Sequence, residues 1–264
     1  KHWVCQNFVA LGLLLAVLIP GIGVSVGGAV RWLKIKGFQF QPSEFARFSL
    51  ILYFAYSLGK KEDNIKKCSI GFVPHVIILG LFAVLLFYQP DFGLIAILCI
   101  TAWIMMFIAG VRIIYLGTGL LFLAPAGWFL MIADEYRIKR LLSFLDPWQY
   151  STDEGYQIIH SLMAFGTGGI YGTGLGNSLQ KLFYLPEPHT DFIFSIIGEE
   201  LGLLGVMFIL AIYILIIWRG ITIAKNVKDR FGAFLASGIT SSIALQVCVN
   251  MGVTLGLLPT KGLT

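Results

Sequence analysis

The chain reads as long apolar runs separated by short polar breaks. Seven runs reach roughly 17–25 residues, the length a helix needs to cross a hydrocarbon core of about 30 Å. They fall at 8–26, 43–59, 69–88, 91–110, 113–133, 192–218 and 232–258. None of the connections alternates polar and apolar residues as a membrane barrel strand does, so helices are the spanning element. The pattern predicts an all-α polytopic membrane protein with about seven transmembrane helices in a single domain over 1–264. The opening run, which begins KHWVCQNF, reads as a span because no clean small-residue cleavage site comes after it.

One connection breaks the rhythm. Residues 134–191 form a large loop between spans five and six, too long to be a mere linker and too rich in Phe144, Trp148, Tyr156 and Ile158 to be disordered. Within it, Gly155–Phe165 predicts a short amphipathic helix at the outer membrane surface. The next run, GTGGIYGTGLGNS at Gly166–Ser178, resembles a phosphate-cradling loop but lacks GK[ST] and a βαβ setting. Its glycines suit tight turns and close backbone approach instead. A second external stretch, Val24–Glu44, carries Trp32 and Phe38 for the interface and ends in Pro42-Ser43-Glu44, a helix start with Ser43 as the expected cap. Asp91, in YQPDFGL, opens a span as a capped tight turn, and Pro259 closes the last one.

Composition agrees: 57% of residues are hydrophobic and 12% charged, with mean hydropathy +0.83, against about 25% charge in soluble domains. The net charge of +5 does not mark a nucleic-acid surface, because the cations lie between spans as topology signals do. Lys60, Lys61, Lys66 and Lys67 fill one loop and Arg219, Lys225, Lys228 and Arg230 another. Placing those loops in the cytoplasm puts Arg31, the 134–191 loop and Lys261 outside. Cys5, Cys68, Cys99 and Cys248 are scattered without a CxxC pair, so they predict packing, not metal or disulfide chemistry.

Chemistry concentrates in LPEPHTDFIFSIIGEELG, Leu185–Gly202. Charge in or beside a bilayer is costly and marks function or a dedicated partner. On a helix, Ser195, Gly198 and Gly202 fall within roughly 40° of Asp191, a polar-then-small stripe that either admits a neighbouring helix or leaves a cavity. Asp191 stands at the boundary, where a carboxylate serves as a general base or as an acid at a helix N-terminus. His189 is equally open to acid–base work or a structural place at the interface. Glu199 and Glu200 lie roughly 12–14 Å further along the axis and about 100° apart. Each needs a cation, a wet cavity or a proton. Arg47 is the basic residue best placed by depth, and a structural ion pair is the plainer reading.

The run GLGNSLQKLFYLPEPHTDFIFSIIGEELGLLG, Gly174–Gly205, resembles the signature of the SEDS family, that of FtsW, RodA and SpoVE. FLDPWQYSTDEGYQIIHSLMAFGTGG, VRWLKIKGFQFQPSEFARFS, QPDFG and LPTKGLT resemble other blocks of that family in the same order, and the GLGNS-QKL-YLPE form is closest to the division branch, FtsW. The resemblance implies a peptidoglycan glycosyltransferase that polymerises lipid II at the outer face of the inner, cytoplasmic membrane. It further implies work beside a class B penicillin-binding transpeptidase and other divisome membrane proteins. It carries the essential carboxylate of the HTDF motif onto Asp191, as base for the acceptor hydroxyl. Glu187 and His189 belong to the same motif, and Arg31, Arg47 and Lys261 match basic positions suited to the substrate diphosphate. A divalent cation, Mg or Mn, would serve the same purpose.

The sequence departs from the family pattern at Pro188, at His160 (commonly Gln), at Arg47 (commonly Lys) and over Gln149–Glu154, which lacks a second Asp-Pro. The family has about ten spans, so the chain is expected to lack the first two helices and the last. Two other functions compete with the enzyme. A lipid II flippase would depend on Glu199 and Glu200, and a non-catalytic divisome scaffold would depend on none of these charges.

Overall fold

In the computed structural model the apolar runs fold as helices: α1 (His2–Leu18), α2 (Pro42–Lys60), α3 (Val73–Tyr88), α4 (Phe92–Ile108), α5 (Ile113–Ile132), α8 (Ile193–Asn226) and α9 (Arg230–Thr254). Two shorter helices, α6 (Glu135–Leu145) and α7 (Tyr156–Gly168), lie in the long connection. The structure describes residues 2–19, 22–26, 29–35, 38–61, 64–132, 135–152, 155–181 and 191–259. Among these, three helical stretches are long and apolar enough to cross a membrane: Cys68–Tyr88, which joins a π-type turn to α3, then α8 and α9. Gln6–Leu18, Phe92–Ile108 and Ile113–Pro125 are shorter apolar helices. Outward-facing Ile113, Leu121 and Phe122 are more than 70% exposed, a surface suited to lipid rather than water.

The chain divides into two units. The first comprises Lys1–Leu120, Ile217–Ile243 and Gly262–Thr264, and the second Leu121–Ile216 and Ala244–Lys261. In the first, Leu14 of α1, Phe54 and Leu58 of α2, Phe82 and Leu86 of α3 and Met105 of α4 form a buried core that Phe234 of α9 completes. Gly59 lets α2 come against the backbone of Arg230 and Phe231, and Gly238 lets α9 come against Ile51 and Met105. The end of α2, with Lys60 beside it, therefore meets the start of α9 at Arg230. That is one basic end, as the charge pattern predicts.

Three local expectations are corrected. The first run, expected at 8–26, forms a helix over His2–Leu18, and strand β1 already begins at Gly23. The β-branched Val24 and Val26, between Pro20-Gly21 and Gly27-Gly28, favour that strand. The stretch after it is a three-stranded antiparallel meander: β1 (Gly23–Val26), β2 (Ala29–Ile35) and β3 (Phe38–Phe40). Finally, Ser43 does not cap α2. The N-cap is Gln41, Pro42 opens the helix with φ preset, and the Ser43 hydroxyl is buried without a hydrogen-bond partner among the described residues.

In the second unit α7 lies along the start of α8, and both helices run the same way. Ser161 meets Ser195, Gly168 meets Gly198, and the Leu204 amide reaches the carbonyl of Ile170. α9 ends at Thr254, where Gly256 (φ 66°) makes the left-handed turn and the Leu257 and Leu258 amides close onto Gly252 O.

Candidate functional site

Asp191 is half-buried in the turn that leads into α8, one residue before Phe192. The amides of Ser195 and Ile196 donate to Phe192 O, so helical bonding starts immediately after it. Phe192 and Ile196 pack with Val253 of α9 and fix that turn to the second unit's core. The stripe read from the sequence is a buried seam. Ser195 is fully buried against Ser161, Phe165 lies over Gly198, and Gly202 meets the backbone of Ile170 and Gly172. Of the two uses open to small residues, close approach of a neighbour is the one realised, and Asp191 stands at the head of the seam.

The seam carries a hydrogen-bond chain of fixed direction. The Ser161 hydroxyl donates to Thr254 O at 2.6 Å. Its single proton being used there, the Ser195 hydroxyl must donate to Ser161, also at 2.6 Å. Three helices, α7, α8 and α9, are tied at one point four residues along from Asp191.

Further on, α8 is broken. Gly202 takes φ 64° and ψ −165°, a conformation available almost only to glycine. The break frees backbone groups that the chain after α7 satisfies. Thr173 N and Gly174 N donate to Glu199 O and Glu200 O, while Leu203 N and Leu204 N donate to Gly169 O and Ile170 O. Gly172 (φ 79°) admits this contact, since a side chain there would strike Glu200 O. Neither the break nor this interlock is readable from the sequence alone. The signal available is glycine at 168, 169, 172 and 174 facing a Gly198-xxx-Gly202 stripe.

Glu199 is 1% exposed, and its carboxylate is held by neutral donors. Ser178 Oγ donates to Oε2 and Leu179 N donates to Oε1 at 3.2 Å. The Ser178 oxygen in turn accepts from Lys181 N at 3.0 Å. Glu200 points to another face, and its Oε1 is enclosed without a hydrogen-bond partner among the described residues. His160 Nδ1 lies 2.8 Å from Gln180 Oε1 and, since that oxygen only accepts, donates to it. Tyr156 covers the same imidazole, with ring centroids 4.1 Å apart.

The first unit holds the described cations of the expected site. Arg31 is the one residue of β2 left out of the pairing where Val24↔Trp32 gives way to Ser25↔Val30, a bulge that re-aims its side chain. The guanidinium, 9% exposed, donates through Nε to Gln89 O at 2.9 Å and through Nη2 to Pro90 O at 2.6 Å. Gln89 passes the tie on by donating to Leu14 O at 3.0 Å. Arg31 therefore clamps the meander onto the α3–α4 turn, which Asp91 caps by accepting from Leu94 N, as expected of that motif. Two charged hydrogen bonds at about 1.5–3 kcal/mol each predict that Arg31→Ala costs at least about 2 kcal/mol in unfolding stability. A shift below one fifth of that in a denaturation series would remove the clamp reading. Arg47 forms an ion pair with Glu44, one turn away on α2.

Glu187, His189, Pro188 and Lys261 lie outside the described residues. Among the described residues no group of three or more His, Cys, Asp and Glu could hold a metal ion. Asp191 is the one expected motif carboxylate or imidazole among them.

Apolar helices, a carboxylate at the head of a buried seam and a broken helix interlocked with a glycine-rich loop mark a multi-pass membrane protein. The chain belongs to the FtsW/RodA/SpoVE family, described as cell cycle proteins, which it matches over residues 1–264. It is 48% identical over 265 residues to a Geobacter protein named probable peptidoglycan glycosyltransferase FtsW, covering 100% of this chain and 72% of the relative. A Trichlorobacter lovleyi protein of the same name is 49% identical over 257 residues, covering 97% of this chain and 67% of the relative. Among solved structures, a peptidoglycan synthase complex coordinating polymerization and crosslinking superposes with TM-score 0.80 at 28% identity, over 99% of this chain and 73% of that one. The rod shape determining protein RodA of Thermus thermophilus superposes with TM-score 0.66 at 26% identity, over 98% of this chain and 68% of that one.

Proposed function

We propose that this chain is the catalytic membrane core of a peptidoglycan glycosyltransferase of cell division, with Asp191 as its general base. The observation that carries the assignment is the place of Asp191: partly exposed, in the turn leading into α8, at the head of a seam anchored on three helices. Its carboxylate takes the proton of the acceptor sugar hydroxyl as that oxygen attacks the donor's anomeric carbon. The bond from that carbon to the diphosphate breaks, and the undecaprenyl diphosphate leaves with the electron pair. Glu187 and His189 shape the surroundings of Asp191, while Arg47 and Lys261 offer positive charge to the departing diphosphate. Arg31 holds the α3–α4 turn of its own unit in place. A divalent cation, Mg or Mn, would supply further positive charge to the departing diphosphate.

The chain is read as one transmembrane domain with seven spans, the 134–191 connection entering and leaving on the extracytoplasmic face of the inner membrane, where the site lies. Lys60, Lys66 and Lys67 on the opposite side support that orientation. The substrate is lipid II, and the partners are a class B penicillin-binding transpeptidase and other divisome membrane proteins.

A flippase reading has one attraction, because transporters place substrate and ions at broken helices whose backbone groups are left open. Here the Glu199 and Glu200 carbonyls and the Leu203 and Leu204 amides at the break all have backbone partners, which favours the enzyme. The deciding experiment supplies the purified full-length protein, in complex with its transpeptidase, with lipid II. Glycan polymer on a gel is the expected product. Transfer of lipid II across vesicles without polymer would replace this reading with the flippase.

A further inference from the structure

The chain after α7 makes an excursion along α8. It descends with α7, crosses the α8 break at 169–174, and returns to Glu199 at Ser178 and Leu179. With Asp191 at the membrane boundary, Gly202 lies 11 residues further along α8, or about 16 Å at about 1.5 Å per residue, roughly half the hydrocarbon thickness. The glycine-rich turn thus sits at mid-membrane depth, where irregular backbone is tolerated only if protein satisfies it. The four backbone bonds across the break do so.

The returning arm is held differently, through side chains. Ser178 Oγ and Leu179 N donate to the Glu199 carboxylate, and Gln180 Oε1 accepts from His160 Nδ1. Helical side chains lean toward the helix N-terminus, so the Glu199 carboxylate reaches from its own turn back toward the Asp191 end. The described residues on either side of the motif are thus both fixed on one helix, Asp191 by the chain itself and Ser178 and Leu179 by the latch at Glu199.

We propose that Glu199 is a positioning residue for the transfer reaction: its buried carboxylate latches the arm at Ser178 and Leu179 onto α8 and so fixes the point from which the chain sets out toward Asp191. This rests on the general-base reading of Asp191. A carboxylate suits the task because its two oxygens accept from two donors at once, a hydroxyl and an amide, with no hydrogen of its own to misplace. Burial leaves those donors no water to turn to, so removing the acceptor strands them. Among the described residues, two neutral donors, Ser178 Oγ and Leu179 N, meet the Glu199 carboxylate. A base must sit within hydrogen-bond reach of the proton it takes, and a misplacement of about 1 Å costs on the order of a hundredfold.

The test uses the full-length protein with its transpeptidase and compares Glu199→Ala, Glu199→Gln and Ser178→Ala. Glu199→Ala should lower kcat for lipid II polymerisation by about 30-fold or more, within the range that misplacement allows, with KM changed far less. Glu199→Gln keeps one acceptor oxygen and should recover most of the rate. Ser178→Ala combined with Glu199→Ala should be no slower than Glu199→Ala alone, because both cut the same latch. An arm that has come free also labels faster. Gln180→Cys, at a position 6% exposed, should react with a maleimide slowly in the parent background and at least tenfold faster alongside Glu199→Ala, after subtraction of native-cysteine labelling. Unchanged labelling, or a Glu199→Ala rate within twofold of parent in folded protein, would overturn the latch. Loss of the general-base reading looks different: Asp191→Asn would stay active while the labelling difference persisted. Should Glu199→Ala fail to fold, Ser178→Ala with the same two readouts decides.

Discussion

Asp191→Asn should abolish glycan polymer from lipid II while leaving the protein folded and bound to its transpeptidase. The substitution keeps the shape and the hydrogen-bonding reach of the side chain, so the turn into α8 and the packing of Phe192 and Ile196 on Val253 stay as they are. It removes only the capacity to accept the acceptor hydroxyl's proton. General-base contributions run to about 10²–10⁴ in rate, and polymerisation multiplies a loss at every cycle, so long chains should vanish from a gel. Asp191→Glu retains a base one methylene further out. It should recover little, because near-attack geometry tolerates so small a displacement poorly. Parental polymer length and rate from Asp191→Asn would leave this residue a structural role and return the search for the base to Glu187 and His189.

The second large effect is on stability. Gly202→Ala should lower unfolding stability by about 3–5 kcal/mol, combining backbone strain at φ 64°, ψ −165° with the loss of a close approach. The added methyl would meet Gly172 N and Ile170 O, backbone of the turn packed against the α8 break, where Ile170 O accepts from Leu204 N. At the usual conversion for a chain of this size the melting temperature falls by about 10 °C. Gly117→Ala is the control: it also sits in an apolar helix but has nothing within 4 Å of the new methyl, and should move stability by less than about 1 kcal/mol. Equal melting temperatures for the two variants would mean that the break is not a strained, glycine-dependent feature.

The long helices were legible because apolar length alone decides them. α4 and α9 end within four residues of the predicted spans, and the Asp91 cap was readable from YQPDFGL. The meander was legible only in part: Gly27-Gly28 is a two-residue hairpin break beside β-branched Val24, Val26 and Val30, but the aromatic residues of the stretch suit a membrane interface equally well and hide it. The predicted surface helix at Gly155–Phe165 exists as α7, but its buried face, with Ile158, Ser161 and Ala164, packs on the second unit's helices. Periodicity states that one face is apolar without naming what covers it. α6 was not legible either, because its sequence EYRIKRLLSFL interleaves charge with leucine inside a connection too long to parse by apolar length. Asp191 was legible as a candidate because a lone carboxylate at the mouth of an apolar run is conspicuous. The partners of Glu199 were not, for Ser178 and Leu179 lie 20 or more residues away in a glycine-rich stretch with no periodicity to place them.

The tie from Ser161 through Ser195 to Thr254 also orders the protein's birth. Its acceptor lies 93 residues after its first donor, so a ribosome emitting about 5–20 residues per second delivers α7 several seconds before the last helix. In that interval α7 and its glycine turn have no partner for their polar groups, and must wait in water or at the headgroups until α8 and α9 are inserted. The seam beneath Asp191 is therefore complete only once the chain has been made through Thr254. A nascent protein released before that point would carry every residue of the motif without its anchor on α9.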